Sequence, residues 1–168
     1  MIEPRPRPFP DRDLDLLSSV IAFLQFVQIT SVNKVAGLSE QQAKATPIPT
    51  SPAMSLLGLL KHVTAVQRQH IQIHIGGSDL PPLWRADDLE FDFRLGPEES
   101  IESVVAAFDA ECERSAATLA GLDPERAIVA YDDPNRAGRL LVDVVQECAR
   151  HLGHIDIVRE LVDGATGE

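Results

Sequence analysis

Read as a pattern of apolar and polar positions, the chain resolves into four long stretches in which apolar residues recur every three or four positions. Each stretch is closed by glycine or proline. In the first, from Asp11 to about Val32, Leu14, Leu17, Ile21, Leu24, Val27 and Val32 share one face, and Asp11 is the expected N-cap. Gly37 ends that region. Ser39-Glu40-Gln41-Gln42 then reads as the cap and first turn of a short helix, and the prolines at 47, 49 and 52 forbid its continuation. The second stretch runs from Ser55 to about Ile75 and stops at Gly76-Gly77. Its first half carries Leu56, Leu57, Leu59, Leu60 and Val63, and the spacing predicts that Gln67, His70 and His74 continue the same line. The third, Glu98 to Gly121, opens at Gly96-Pro97 and holds Val104, Val105, Phe108, Cys112, Ala116 and Leu119. The fourth, about Leu140 to Val162, ends before Gly164, with a stripe of Leu141, Val144, Val145, Cys148, Leu152, Ile155 and Val162.

The connections shape the expected fold. Residues 1–10 read as an extended arm of alternating proline and arginine. Residues 76–97 join the second and third helices through Pro81-Pro82, Trp84 and the acidic-aromatic run Asp87 to Phe93. Helix connections in bundles take ~2–8 residues, so this link predicts a crossover or a lid. Residues 122–139 contain Tyr131-Asp132-Asp133-Pro134-Asn135, a turn-forming run. The expectation is an all-α single domain over 1–168, a four-helix bundle with a long crossover between helices two and three.

Charge and composition narrow the partners. With 15 Lys+Arg against 26 Asp+Glu the net charge is −11, and such a surface gains no counterion release from nucleic acid or anionic lipid. Two cysteines cannot build a disulfide framework. The segment MIEPRPRPFP lacks the apolar core of a signal peptide, and no apolar run is read as reaching the ~18–20 residues that span a bilayer. A cytoplasmic chain is expected, with pairing into a homodimer through exposed helix faces left open.

The fourth helix carries the most chemistry. Glu147, His151 and His154 form a sector along one edge of its apolar stripe. Glu147 and His151 stand four apart, so their side chains stack within ~5–6 Å and can grip one metal ion. A solvated or mutually hydrogen-bonded pair has the same spacing, and both readings stand. A third ligand is available from helix two, where His62 lies beside Leu59 and Val66 at the edge of the apolar face. Two histidines and a carboxylate with open positions suit zinc, and also nickel or ferrous iron. His154 and Asp143 are candidates to orient these ligands by hydrogen bonding. His70 and His74 form a rival pair, or else line a polar cavity or face solvent. Cys112 and Cys148 read as core residues with no cationic neighbour to activate them. Trp84 reads as a pocket wall or an anchor on the bundle, and Gly153 as a point of close helix approach or a tolerated glycine. No GxGxxG, P-loop, CxxC, GxSxG or Glu-x-x-His pair is present.

The segments MSLLGLLKHV (54–63) and QECARHLGHIDIVRELVDGATGE (146–168) resemble the DinB-like superfamily, in the actinobacterial branch near the mycothiol-dependent S-transferases. The Gly-Leu-Ser-Glu-Gln turn, the Pro-Pro-Leu-Trp crossover and the Asp-Gly-Ala-Thr-Gly tail extend the match over nearly the whole chain. The resemblance implies a four-helix bundle and a divalent metal on His62, Glu147 and His151. Many relatives have histidine as the middle ligand, whereas the mycothiol branch has glutamate, as here. It also implies a low-molecular-weight thiol as cosubstrate, attack of its thiolate on an electrophilic small molecule, and a role in detoxification. Relatives often place a glutamate and aromatic cluster soon after the helix-two histidine; this chain has Gln67-Arg68-Gln69-His70, which leaves the substrate open. A metal-dependent hydrolase that activates water, and a non-enzymatic stress-response binding module, are the alternatives.

Overall fold

The computed structural model describes residues 2–166; Met1 of the arm and Gly167-Glu168 of the C-terminal tail lie outside the described residues. Helix α1 spans Leu16–Asn33, later than the apolar spacing indicates, because Asp15 rather than Asp11 caps it. The Asp15 carboxylate accepts the Ser18 amide at 3.0 Å and the Ser18 hydroxyl at 2.6 Å. Helix α2, Glu40–Lys44, starts at Ser39, which shares a reciprocal capping box with Gln42. The arm lies back over α1. Arg5 exchanges backbone hydrogen bonds with the Asn33 side chain and grips Asp109 with both guanidinium nitrogens, at 2.6 and 2.7 Å.

Helix α3, Leu56–Gln67, is capped by Ser55 and is the central rod. Leu56, Leu57, Leu59 and Leu60 are all fully buried, so its first turns are surrounded on every side. Each such leucine removed from water contributes roughly 1.5–3 kcal/mol. From Arg68 to Ile75 the rod continues as a π-helix, and this corrects the expected line of Gln67, His70 and His74. The wider turn, with Gly76 N–H donating to the Ile71 carbonyl at 2.7 Å, sends Ile71 and Ile75 into the core. Only Gln67 of the three polar residues stays there; His70 and His74 are displaced to the flank.

Helix α4, Ile101–Leu119, begins at a Ser100–Ser103 capping box, not at Gly96-Pro97. The link after it holds a feature the helical reading omits. Strands β1, Ala127–Ala130, and β2, Asp133–Arg136, pair antiparallel across a tight turn of Tyr131 and Asp132, with φ of 55° and 65°. Two successive positive φ values define the type I′ turn whose twist suits a hairpin. The chain is therefore mostly helical with one small sheet. Helix α5, Ala137–Asp163, closes at Gly164, φ 77°.

Four long rods share one apolar core: α1 packs on α5, α3 on both α4 and α5, and the π segment on α4, α5 and β1. Helix α1 requires a second correction, because Leu16–Asn33 is long and apolar enough to cross a membrane by length and composition. In the structure it lies on α5, with Gln28 buried and donating to Gln67 at 2.6 Å. Gly153 meets nothing within 4 Å, so it is a tolerated glycine rather than a point of close approach.

Candidate metal centre

The site begins with a glycine. A Cβ at Gly58 would collide with the Phe93 carbonyl, so only a residue without a side chain lets the crossover lie directly on α3. One turn later the same rod presents His62, and the crossover covers it. Phe93 stacks on the imidazole with centroids 4.0 Å apart and planes 14° apart. The Asp92 carboxylate accepts from His62 Nδ1 at 2.9 Å. Asp92 is buried, at 5% exposure, whereas Asp87 and Glu90 of the same run are exposed.

Asp92 fixes the His62 tautomer. With Nδ1–H donated to a carboxylate, Nε2 is left as the lone-pair nitrogen. That nitrogen points at His151 Nε2, 3.1 Å away, and His151 Nε2 is 3.4 Å from Glu147 Oε2. The three sequence-predicted residues thus come together from α3 and α5. Around a tetrahedral zinc with bonds of 2.0–2.1 Å, neighbouring ligand atoms stand ~3.3 Å apart, and the two separations fall on either side of that value. The donors are nevertheless close-packed, and among the described residues no group of three or more His, Cys, Asp or Glu is arranged as a ready metal cage.

The electrostatics favour neutral imidazole. Burial, and then the neighbouring His62 and His154, push His151 down to about 4, so it is uncharged near neutrality and available to a cation. His151 Nδ1 and His154 Nδ1 are both buried without a hydrogen-bond partner among the described residues, their rings 5.3 Å apart. Asp143, a sequence candidate for orienting a ligand, pairs with Arg139 one turn back and makes no hydrogen bond to His62, Glu147 or His151. Asp92 holds the orienting position instead. Nothing in the run Asp87-Asp88-Leu89-Glu90-Phe91-Asp92-Phe93 marks it apart from its neighbours, because its burial depends on Gly58.

A cavity of about 310 Å³ adjoins the site, lined by His62 and Asp92, by Ala65, Val66 and Leu89, and by Trp84, His70 and Tyr131. Trp84 is therefore a pocket wall and also an anchor, since its indole N–H donates to Gln69 Oε1 at 2.9 Å. His70 and His74 are engaged by neighbours in the cavity wall, with ring centroids 6.3 Å apart. His70 bonds Val66 and Tyr131, and His74 accepts from Gln69 at 2.9 Å. The cysteines are inert: burial pushes Cys112 up to about 12 and pushes Cys148 up as well.

The fold is similar to that of a conserved protein from Enterococcus faecalis, whose crystal structure superposes with a TM-score of 0.72 at 15% identity over 90% of this chain and 99% of that one. Comparison with curated proteins gives no match. The model of the mycothiol-S-transferase family matches residues 19–164, which include α3, the crossover and every proposed ligand. The chain belongs to the mycothiol-S-transferase family.

Proposed function

We propose that this chain is a metal-dependent S-transferase. It joins a low-molecular-weight thiol, mycothiol in the first instance, to an electrophilic small molecule. Its four long rods are read as the DinB-like bundle, one domain with the crossover as its lid. His62 Nε2, His151 Nε2 and a Glu147 carboxylate oxygen hold a divalent metal, with zinc the first choice for two imidazoles and one carboxylate, and nickel or iron the next. Asp92 keeps His62 in the ligating tautomer and Phe93 fixes its plane. When bound, the metal supplies an electropositive open position that favours a thiol in its thiolate form near neutral pH.

The residues of this chain do the rest. The apolar side chains of Ala65 and Val66 turn hydrocarbon toward the electrophile, and Trp84 lines the same cavity. The raised pKa values of Cys112 and Cys148 keep the protein's own thiols from competing for it. The observation that carries this reading is the convergence of two imidazole nitrogens at 3.1 Å, one of them fixed from behind by a buried carboxylate. His62 Nε2 offers its lone pair into that gap, and His151 meets it either with a proton or, around a shared metal, with a lone pair of its own.

The test is metal analysis beside thiol conjugation. Wild type is expected to hold about one divalent ion and to conjugate mycothiol to an electrophile panel, while His62→Ala, Glu147→Ala and His151→Ala each lose both. Metal content unchanged in His151→Ala removes the assignment. Faster hydrolysis than conjugation on the same panel favours the hydrolase.

A further inference from the structure

The cavity reached by His62 is also lined by His70 and Tyr131, two residues the metal reading leaves without a role. The π-helix turns His70 Nδ1 onto the Val66 carbonyl at 2.9 Å. A carbonyl only accepts, so Nδ1 carries the proton and Nε2 of the neutral ring keeps its lone pair. That lone pair meets the Tyr131 hydroxyl at 3.1 Å. Tyr131 reaches it from the hairpin tip with φ of 55°, a left-handed conformation costing a side-chain-bearing residue roughly 1–2 kcal/mol. Such backbone strain clusters at functional sites. An exposed turn would be served better by asparagine or glycine.

The surroundings hold this pair in place. His74, its ring 4.7 Å from Tyr131, is held low by burial and then by His70, and is fixed by Gln69. Arg85 from the crossover lines the same cavity. Burial and the Asp143 carboxylate on α5 raise the Tyr131 phenol, so it stays protonated as a donor.

We propose that His70 and Tyr131 are a proton-relay dyad that takes the proton of the incoming thiol and returns it to the adduct; the assignment rests on the thiol-transfer reading above. As the S–H bond breaks, the thiol proton passes to Tyr131 Oη and the phenol proton passes to His70 Nε2. The sulfur electron pair forms a bond to the β-carbon of the electrophile, and the π pair of its C=C bond moves onto a conjugated carbonyl oxygen. That enolate oxygen takes its proton from Tyr131 Oη while the His70 Nε2 proton returns to the tyrosine. The thioether enol then relaxes to the ketone, and no oxidant or reductant is consumed. The relay fits addition to an α,β-unsaturated carbonyl compound, because a displacement expels an anion and needs no proton back.

The deciding measurement is the rate at which bound mycothiol ionises, followed in the cobalt-loaded protein by the thiolate-to-metal absorption band after rapid mixing at about pH 7, below the ordinary thiol pKa of ~8.5. Wild type is expected to form the band fast, because the dyad carries the proton away from sulfur. Tyr131→Phe and His70→Gln are expected to reach the same amplitude about 10²-fold more slowly. With mycothiol and an enone, kcat/KM is expected to fall about 10²-fold in both variants, the lower end for general acid–base catalysis. With 5-thio-2-nitrobenzoate and an alkyl halide, where the thiol is already ionised and no proton returns, both variants are expected to lose far less than with mycothiol and the enone. Equal ionisation rates in all three proteins, or equal loss in both reactions, overturns the dyad and leaves thiol transfer standing. No mycothiol binding by wild type removes the thiol-transfer reading and the dyad with it.

Discussion

Two buried polar clusters hang on the same central rod, and they are built to opposite ends. Where α3 passes into the π-helix, Arg68 reaches the fully buried Glu111 of α4. A single carboxylate oxygen, Oε2, receives Arg68 at 2.7 and 2.9 Å and Arg114 at 2.8 Å. There the charge on Oε2 is answered by permanent partners, while Oε1 of the same carboxylate is buried without one among the described residues. At His62 the imidazole is held from behind, by Asp92 and Phe93, while its Nε2 faces that of His151 across 3.1 Å and two further imidazole nitrogens have no partner among the described residues. A cluster whose charges are matched within the protein stabilises the fold. One that leaves imidazole nitrogens buried without partners is where the proposed metal would be held.

The sharpest way to break the comparison is at Glu111. Glu111→Ala strands Arg68, which is largely buried, and removing one partner of a buried pair costs roughly 3–5 kcal/mol. Urea unfolding should show that loss, while the metal content of the folded fraction is unchanged. His151→Ala should do the reverse. Metal at a hundred times its dissociation constant should stabilise wild type by about 2.7 kcal/mol and leave the variant's midpoint where it was without metal.

Asp92→Asn tests the orienting carboxylate alone. Metal affinity measured by competition with a chelator should weaken about 10- to 100-fold, with the fold retained. The smallest effect is expected at Gly153, which sits between His151 and His154 in sequence but faces open space. Gly153→Ala should raise stability by about 0.5–1 kcal/mol, the helix-propensity difference, without moving metal affinity. A change in affinity there would mean that the helix backbone at this turn takes part in the site.

Much of the helical frame was legible from periodicity, because each rod buries one face and apolar residues therefore recur at its period. The helix starts were less so. Asp11 and Asp15 are equally good cap residues on paper, and the choice fell to the one whose carboxylate reaches the Ser18 amide. The π-helix defeated the periodic reading altogether. Gln67, His70 and His74 keep perfect α-helical spacing, yet the wider turn gives the core to Ile71 and Ile75, whose burial outweighs the cost of the irregular backbone. The hairpin was missed because four-residue strands, one holding Pro134, leave no alternation to detect.

For the site, sequence alone determined that Glu147 and His151 share a helix face, since one turn of regular backbone fixes that relation locally. The place of His62 at the edge of the second helix's apolar face made it a candidate third ligand, and the resemblance of the motifs joined the three into one set. Only the tertiary structure decided that His62 Nε2 meets His151, that Asp92 out of a whole acidic run stands behind it, and that Tyr131 comes to rest on His70. These meetings join residues distant in the chain, through a crossover seated on Gly58 and a hairpin whose turn has no periodicity. Local rules set what each segment presents, and packing sets what it meets.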